Sequence, residues 1–488
     1  MKQLTIDPIT RLEGHGKIEI FLSDEGEVDN VFFQVPELRG FEKFLEGRPA
    51  EEVPQIVTKI CGVCPGCHHM ASGKAVDMIF GLQPTATAAM IRELFYMAHF
   101  VHSHIAHFYA LAAPDFVCGP DTPKAERNIL GVIAKVGADI GTEVIRQRRL
   151  AQEIQALLGG HQTHVMLNIP GGVRKGLTAE QRDDIVKTAG GFVEFARFSL
   201  RIFEDVVLAN KDYVDMILQG PYKLRLYSMG LVDSNNHVNF YDGHVRVVDP
   251  DGREHCRYQA VDYREYVSER VETWSYLKFP FLKKVGWKGF TEGNDSGVYH
   301  ATPLSRLNAA EGMATPLAMA EYNRMFSVIG VKPVHNTLAM HWARLVELLY
   351  SAERCLELAM HPDITGSDLR TPPDGIAGEG VGIVEAQRGT LTHHYWTDEK
   401  GLITRANIIV GTTNNNAAIC MSIKKAAQGY IRKGVTVDEG ILNRIEMAFR
   451  AYDPCFSCAT HSLPGNMPMI VNLRSSSGEL LRQIRRDL

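Results

Sequence analysis

Alternating polar and apolar residues dominate the start of the chain, and a helical period replaces them further along. Residues Lys17–Val35 are typical of two strands around the turn Asp24-Glu25-Gly26. Between Pro84 and Pro114, apolar residues recur with the period of a helix, which predicts one long helix. A second helix is expected over Thr142–Leu158, ended by Gly159-Gly160.

Two further helices carry signals at their starts. Thr178 and Gln181 have the spacing of a capping box, so a helix is predicted from there to about Leu208. Asn336 is expected to cap a fourth helix. The apolar stripe of that helix consists of Leu338, Leu345, Leu349, Ala352 and Leu356.

Strand-like runs occupy two other parts of the chain. Residues 220–300 are mixed, with a turn at Pro250-Asp251-Gly252, and a β-like stretch spans His393–Val410. The pattern predicts a mainly α fold, with a large helical-bundle core and small peripheral β elements (α+β). No repeat or linker divides the chain, so we expect a single domain over residues 1–488.

Composition and charge exclude several classes of protein. Of 488 residues, 45% are hydrophobic and 22% are charged, which is ordinary for a globular protein. A net charge of −5 gives no reason to expect nucleic-acid binding. No apolar run approaches the roughly 20 residues of a membrane span, and the N-terminus lacks a signal-peptide stretch. We expect a cytoplasmic protein without a direct membrane span; the alternative is an exported complex whose partner carries the signal.

Two Cys-x-x-Cys pairs, Cys61/Cys64 and Cys455/Cys458, lie near opposite ends of the chain. One pair alone would fit a redox disulfide or two buried thiols, but two pairs favour one shared metal. Structural zinc sites usually have pairs roughly 10–30 residues apart, because they staple a small domain. The wide separation favours a catalytic metal, at which the N- and C-terminal segments meet inside the protein.

The segments around both pairs resemble the large, catalytic subunit of nickel–iron hydrogenases, and the resemblance runs the whole length. The matching segments are Thr10–Ile18, Glu37–Pro49, Lys59–Asp77, His107–Phe116, Glu385–Leu391 and Ala451–His461. The resemblance is strongest to the cytoplasmic, bidirectional group, which includes NAD-reducing and methyl-viologen-reducing types. It implies reversible heterolytic cleavage of H2 to protons and electrons.

The resemblance implies an asymmetric metal centre. Nickel would bind all four thiolates, with Cys61 and Cys455 terminal and with Cys64 and Cys458 bridging to iron. The iron would carry carbon monoxide and cyanide ligands. The terminal thiolate Cys455 would also be the first proton acceptor, because its basicity rises when nickel is reduced. Soft sulfur ligands suit nickel that changes oxidation state.

Charged residues around the centre are assigned by the same resemblance. Arg388 would place a guanidinium over the open side of the centre, held by Asp115 and Asp453 through charge-assisted hydrogen bonds. Arg388 and Thr412 would donate hydrogen bonds to the cyanides, although Gly411 stands where the family usually has proline. Taken one at a time, each of these charges also fits a structural ion pair.

Other residues are assigned to proton transfer and to a second metal. Glu13 would be the first proton relay away from the terminal cysteine; its alternative is a solvated glutamate at a strand edge. Glu42, the ring of His461 and the carbonyl of Ile408 would bind magnesium with waters. His68 would hydrogen-bond a bridging sulfur.

Several other cysteines and histidines are interpreted as structural. Cys67 extends the first pair to Cys-x-x-Cys-x-x-Cys, but no fourth cysteine is near, so we interpret it as a small buried residue. The packing histidines of the long helix are His99, His102, His104 and His107, and the core thiols are Cys118, Cys256, Cys355 and Cys420.

An electron exit requires partners, because this chain lacks the cysteines for a cluster relay. The resemblance implies a small subunit carrying iron–sulfur clusters, and further electron-transfer subunits of the flavin/NAD or ferredoxin type. The acceptor would be NAD(P), a deazaflavin, ferredoxin or a heterodisulfide. A maturation protease and nickel-insertion factors are also implied. The family usually loses its tail directly after the last motif, so residues 462–488 are either removed after His461 or retained.

Two other functions fit the sequence less well than the hydrogenase. A quinone-site-type subunit of a respiratory complex shares this ancestry, but such relatives have lost the four cysteines. A zinc-stapled structural subunit would not explain why Glu13, Arg388 and the Asp-Pro-Cys motif occur together.

Overall fold

The computed structural model describes residues 2–7, 9–35, 37–218, 220–373, 375–460, 469–475 and 480–486. Helix accounts for about 49% of the chain and strand for about 19%, spread over several sheets. This agrees with the mainly α fold with small β elements that the sequence predicts.

The longer helices are Pro65–Ile79, Ala86–Ala106, Ile129–Val136, Ala138–Gly159, Ala179–Phe203, Lys211–Leu218, Pro303–Ala309, Pro316–Ile329, Met340–Met360, Asn416–Tyr430 and Glu439–Arg450. Four one-turn helices span Phe41–Phe44, Val53–Ile56, Tyr263–Tyr266 and Phe456–Ala459.

Met340–Met360 is the central helix of the bundle. It packs against Ala179–Phe203 on one side and against Ala86–Ala106 on another, and the latter also packs against Ala138–Gly159. The helix is buried over most of its length, from Met340 to Ala352. Leu345, Leu349 and Ala352 of the predicted stripe are therefore removed from water, whereas Leu356 is half-buried.

Helix boundaries differ from the predicted ones at three places. The helix from Ala86 does not end before Pro114 but continues as wide π turns over His107–Ala112 and Pro114–Cys118. Pro114 is tolerated because it begins a turn, where its missing N–H is not needed. The second helix begins at Ala138, and Asn336 does not cap its helix, since its side-chain amide donates to the carbonyl of Ile217.

The strands form small sheets around the bundle. Lys2–Ile6, Lys17–Leu22 and Val28–Gln34 form an antiparallel N-terminal sheet, which confirms the two predicted strands. A six-stranded sheet comprises Tyr227–Val232, His237–Val238, His244–Val248, Glu254–Tyr258, Tyr299–His300 and Gly312–Met313. Two-stranded pairs are Asn168–Ile169 with Gly172–Val173, and Val267–Val271 with Lys278–Leu282.

A third sheet supports the metal-site region. Its antiparallel strands Glu379–Ala386, Gly389–Thr397 and Ile403–Ile409 include the β-like stretch that the sequence predicts. The first strand packs on Pro65–Ile79, hereafter the cysteine helix. A Cβ on Gly382 would lie 2.0 Å from the carbonyl oxygen of Ala71, so this close packing requires glycine.

In the tail, Met469–Arg474 and Leu480–Arg486 pair as antiparallel strands. Within the described ranges, no helix combines the length and apolar character needed to cross a membrane.

Candidate metal centre

The four cysteines of the two Cys-x-x-Cys pairs meet inside the protein, as the sequence predicts. Their Sγ atoms all lie within 4.8 Å of one another, and all four residues are buried. Individual Sγ–Sγ distances are 3.0 Å for Cys61–Cys64, 3.4 Å for Cys61–Cys455 and 3.7 Å for Cys64–Cys458. Four sulfurs at one point form a ligand set for a soft or borderline metal.

Local backbone geometry presents the first pair. Cys64 is the N-cap of the cysteine helix, and Pro65 follows at the first helical position, where it needs no hydrogen-bond partner. The backbone amides of Val63 and Cys64 donate to Sγ of Cys61 at 3.2 and 3.0 Å. Amide donors stabilise negative charge on that sulfur, which favours the thiolate that a metal requires.

The second pair is joined to the N-terminal segment. Glu13 and Cys455 form a parallel β-bridge, and the amide of Phe456 donates to the carbonyl of Glu13 at 3.1 Å. Gly14 follows with φ +86°, and a Cβ there would lie 2.8 Å from the amide of Ser457. Only glycine fits both the left-handed backbone and this contact.

The pKa values of the thiols diverge within the cluster. Burial alone would raise the pKa of Cys61, but hydrogen bonds from the neighbouring thiols and the charge of Arg388 hold it well below its ordinary value. Burial raises the pKa of Cys455 and of Cys458 well above the ordinary value. A metal that binds all four sulfurs must therefore displace protons from the cluster.

Glu13 lies beside the cluster, where the sequence places it. Its Oε2 accepts a hydrogen bond from Sγ of Cys455 at 2.8 Å and from the amide of Ser457 at 3.2 Å. The side chain is half-buried. This geometry puts a carboxylate within direct proton-transfer distance of a cysteine sulfur.

Arg388 is buried beside the cysteines, but only one of its two predicted partners contacts it. Nη2 of Arg388 forms an ion pair with Oδ2 of Asp453 at 3.0 Å. Burial alone would lower the pKa of Arg388, but Asp453 and the cysteine sulfurs raise it well above the usual value. The guanidinium therefore stays charged inside the protein.

The prediction that Asp115 holds Arg388 is wrong. The carboxylate of Asp115 pairs with Arg11 and, at 2.6 Å, with Nη1 of Arg450, rather than with Arg388. These two guanidiniums outweigh the effect of burial and hold the pKa of Asp115 below its ordinary value. The π turn Pro114–Cys118 directs Asp115 toward the N-terminal segment, so it fastens the loop that carries Glu13.

Ser103 occupies the place expected for the second partner. Nη1 of Arg388 donates to Oγ of Ser103 at 3.4 Å. Sequence reasoning missed this residue because a serine in a helix gives no charge signal. The available hint was its position one helical turn from His99 and His107, on a buried face.

A small cavity of about 10 Å³ adjoins the cysteines. Its lining includes Cys64, Cys67, His68, Arg388, Leu391, Thr412 and Cys455. The hydroxyl of Thr412 accepts the amide of Cys455 at 3.0 Å. Nε2 of His68 is buried and has no hydrogen-bond partner among the described residues. The cavity is thus lined both by candidate sulfur ligands and by a buried nitrogen that has no hydrogen-bond partner among the described residues.

His68 does not show its predicted sulfur contact. Its Nδ1 lies 3.0 Å from Nε2 of His393, and burial lowers its pKa to about 4, so the ring is neutral. Cys67 donates to Oε1 of Gln387 at 3.0 Å, and burial raises the pKa of its thiol. Cys67 is thus a buried thiol with a side-chain partner.

The histidines of the long helix each have a polar partner outside the cysteine cluster. The partners are Gln155 for His99, Arg148 for His102, Glu347 for His104 and the carbonyl of Arg450 for His107. Among the described residues, the four cysteines form the sole group of metal-ligating side chains with convergent ligand atoms.

The predicted magnesium residues are placed only in part. Oε1 of Glu42 accepts the amide of Ile408 at 2.8 Å and lies 3.7 Å from the ammonium of Lys278. Burial raises the pKa of Glu42 to about 7, and its Oε2 has no partner in the described part of the chain. His461 lies outside the described residues.

Comparisons match most of the chain to known proteins. The family "Nickel-dependent hydrogenase" matches residues 39–134 and 251–461, and the family "HoxL-like" matches residues 3–38. The chain is 47% identical to an iron–sulfur subunit of the F420-non-reducing hydrogenase of Archaeoglobus profundus, over 99% of this chain and 100% of that protein. It is 37% identical to the beta subunit of the NAD-reducing hydrogenase HoxS of Cupriavidus necator, over 98% and 99% of the two chains.

A solved structure matches the fold as well. The structure of an NAD+-reducing [NiFe]-hydrogenase in the H2-reduced state superimposes with a TM-score of 0.88 at 35% identity. The match covers 94% of this chain and 100% of that chain.

Proposed function

The chain belongs to the nickel-dependent hydrogenase family and is a hydrogenase catalytic subunit. From this premise we propose that it cleaves H2 reversibly and heterolytically at a nickel–iron centre bound by Cys61, Cys64, Cys455 and Cys458. One observation carries the proposal: four buried sulfurs converge, and a carboxylate lies 2.8 Å from one of them. A quinone site requires neither feature, and a zinc staple requires only the first.

The residues around the cavity fit the proposed centre. The cavity beside Cys64 and Cys455 is about the size of one water molecule, and Arg388 and Thr412 at its wall have the polar atoms that would meet cyanides. Cys61, Cys64, Cys455 and Cys458 would hold this centre, with Cys61 and Cys455 as its terminal ligands. When bound, the centre supplies the redox chemistry that separates hydrogen into protons and electrons.

Cys455 and Glu13 form the proposed start of the proton path. A terminal thiolate is a base at the reacting centre, and Glu13 is the nearest carboxylate in hydrogen-bond contact with it. Glu13 is half-buried, whereas Cys455 is buried. A proton taken by Glu13 therefore moves from the enclosed site toward solvent.

Arg388 contributes fixed positive charge to the proposed site. The guanidinium is held by Asp453 and Ser103, so it needs no reorganisation when charge develops nearby. Asp453 has φ +54°, an uncommon conformation for a residue other than glycine. Such strain is tolerated where surrounding contacts fix the residue, which here aims its carboxylate at Arg388.

We also propose magnesium as a structural ion beside Glu42. The unpaired buried oxygen of Glu42 and the nearby backbone of Ile408 offer the hard oxygen ligands that magnesium prefers. Lys278 already supplies one positive charge there. His461 would complete the set, and magnesium analysis of a Glu42→Gln variant tests the assignment, since unchanged magnesium content would contradict it.

The electron path requires other subunits. We propose that the direct partner is a small subunit with iron–sulfur clusters, and that further electron-transfer subunits lead to an acceptor such as NAD(P), ferredoxin or a heterodisulfide. The relatives are named as subunits of such hydrogenases. We further propose a cytoplasmic location, one domain for the chain, and removal of residues 462–488 by a maturation protease after nickel-insertion factors have acted.

The test uses the complex of this chain with its small subunit. We measure hydrogen–deuterium exchange and nickel content for the parent, for Cys455→Ser and for the matched control Cys355→Ser. Cys355 is equally buried but lies outside the cluster. Cys455→Ser should lose both exchange and bound nickel, and the control should keep them. Full exchange in Cys455→Ser would overturn the proposal.

A further inference from the structure

A chain of buried polar side chains extends behind the cavity. His68 and Ser72 lie one turn apart on the cysteine helix, while His393 and Tyr395 lie two residues apart on the strand Gly389–Thr397. Spacings of four in a helix and two in a strand put each pair on one face. Four helical residues rise about 6 Å and two strand residues about 6.6 Å, so the pairs match in length.

The contacts along this chain are continuous. Nδ1 of His68 lies 3.0 Å from Nε2 of His393, and Nδ1 of His393 contacts Oη of Tyr395. Oη of Tyr395 in turn donates to Oγ of Ser72 at 3.0 Å. All four side chains are buried, and burial raises the pKa of Tyr395, which stays protonated.

The hydroxyl of Tyr395 has one proton and two neighbours that can receive it. With a single ring proton on His393, a hydroxyl that donates to Ser72 requires that proton on Nδ1, and His68 must then donate from its own Nδ1. Nε2 of His68 is then an acceptor. If the hydroxyl donates to His393, the same logic places the proton of His68 on Nε2. The two arrangements hold the same number of protons.

The cavity decides between these arrangements. His68 lines the same cavity as Cys64 and Cys455, and its buried Nε2 has no partner among the described residues. Thiols can donate to it, as the arrangement in this structure allows. Thiolates bound to a metal only accept, so a filled site needs a donor at Nε2.

We propose that Tyr395 is a positioning residue of the metal site. Through His393 it fixes which ring nitrogen of His68 carries the proton, and in the loaded enzyme it makes Nε2 of His68 a donor to the centre. This inference rests on the proposed nickel–iron function. It assigns roles to His393, Tyr395 and Ser72.

Infrared spectroscopy of the loaded complex tests this directly, with the carbon monoxide and cyanide bands as the readout. In Tyr395→Phe the bands should shift to lower wavenumber, because a weakened donor leaves more electron density on the centre. The matched control is Tyr109→Phe, which removes the hydroxyl of another buried Tyr–Ser pair, 2.8 Å apart. The control should leave the bands unchanged.

A double-mutant cycle separates positioning from a general packing effect. In a His68→Leu background, Tyr395→Phe should produce no further shift. Unshifted bands in Tyr395→Phe, or the same shift in both backgrounds, would overturn the inference. If Tyr395→Phe yields no loaded protein, His393→Leu is measured by the same criterion. A parent without any such bands would refute the nickel–iron proposal itself.

Discussion

Replacing Glu13 by glutamine is the sharpest perturbation of the proton path. The carboxylate oxygen is 2.8 Å from Sγ of Cys455, close enough to receive its proton without a bridging water. Glutamine has nearly the same shape, and its carbonyl can still accept the amide of Ser457, now bonded at 3.2 Å. The substitution therefore removes a proton acceptor and leaves the local fold in place.

The expected loss follows from the role of the group. A positioned general base contributes roughly 10²–10⁴-fold to a rate, or about 3–5 kcal/mol of barrier. The folding cost is far smaller, since the exchanged hydrogen bond is worth about 1 kcal/mol. Because Glu13 is half-buried, water can substitute partly, so we expect a loss of at least about 100-fold.

Hydrogen–deuterium exchange by the purified complex is the assay, with nickel content measured on the same samples. Glu13→Asp keeps a carboxylate but withdraws it by one methylene, so its exchange rate should be intermediate. Glu19→Gln changes a glutamate on the neighbouring strand that pairs with Lys17, and it should behave like the parent. Parent-level exchange in Glu13→Gln with nickel in place would refute the proton role.

Other substitutions test separate parts of the site. Arg388→Lys keeps the charge but loses the planar fork that meets Asp453 and Ser103, so exchange should fall by about tenfold to a hundredfold; an unchanged rate would contradict its role. Asp115→Asn leaves Arg11 without its counter-charge and Arg450 with Glu446 alone, at a cost of up to about 3 kcal/mol, which a lower thermal midpoint of the complex would reveal and an unchanged midpoint would exclude. Arg306→Met removes the positive charge that pairs with two buried carboxylates. It should therefore lower the thermal midpoint more than the substitution of a surface arginine does. Intact mass of active enzyme should show removal of the tail, and a full-length chain ending at Leu488 with full nickel would refute cleavage.

Local patterns predicted the elements whose signals are local. The alternating residues of Lys17–Val35 and the capping box at Thr178 both appear in the structure, because strand alternation and cap hydrogen bonds involve near neighbours. Asn336 shows the limit. Its side-chain amide donates a hydrogen bond to a carbonyl that is distant in the sequence. This tertiary contact replaces the cap hydrogen bond that the local sequence favours.

In the metal site, too, some residues could be predicted from the sequence and others could not. The cysteine pairs could be located because metal binding requires particular residue types at particular spacings, whereas Glu13 was assigned through the resemblance to the hydrogenase family. Asp115 was assigned to the wrong arginine because nothing in sequence separation says which of several guanidiniums a carboxylate will meet. The support from Ser103 and His393 depends on helix and strand faces that meet only in the folded protein.

The central claim is that the four converging cysteines hold a nickel–iron centre. Nickel content combined with infrared spectroscopy of the purified complex tests it most directly. We predict about one nickel per chain, as expected for one four-thiolate site, together with bands of carbon monoxide and cyanide. Zinc alone in the site, without those bands, would contradict the account.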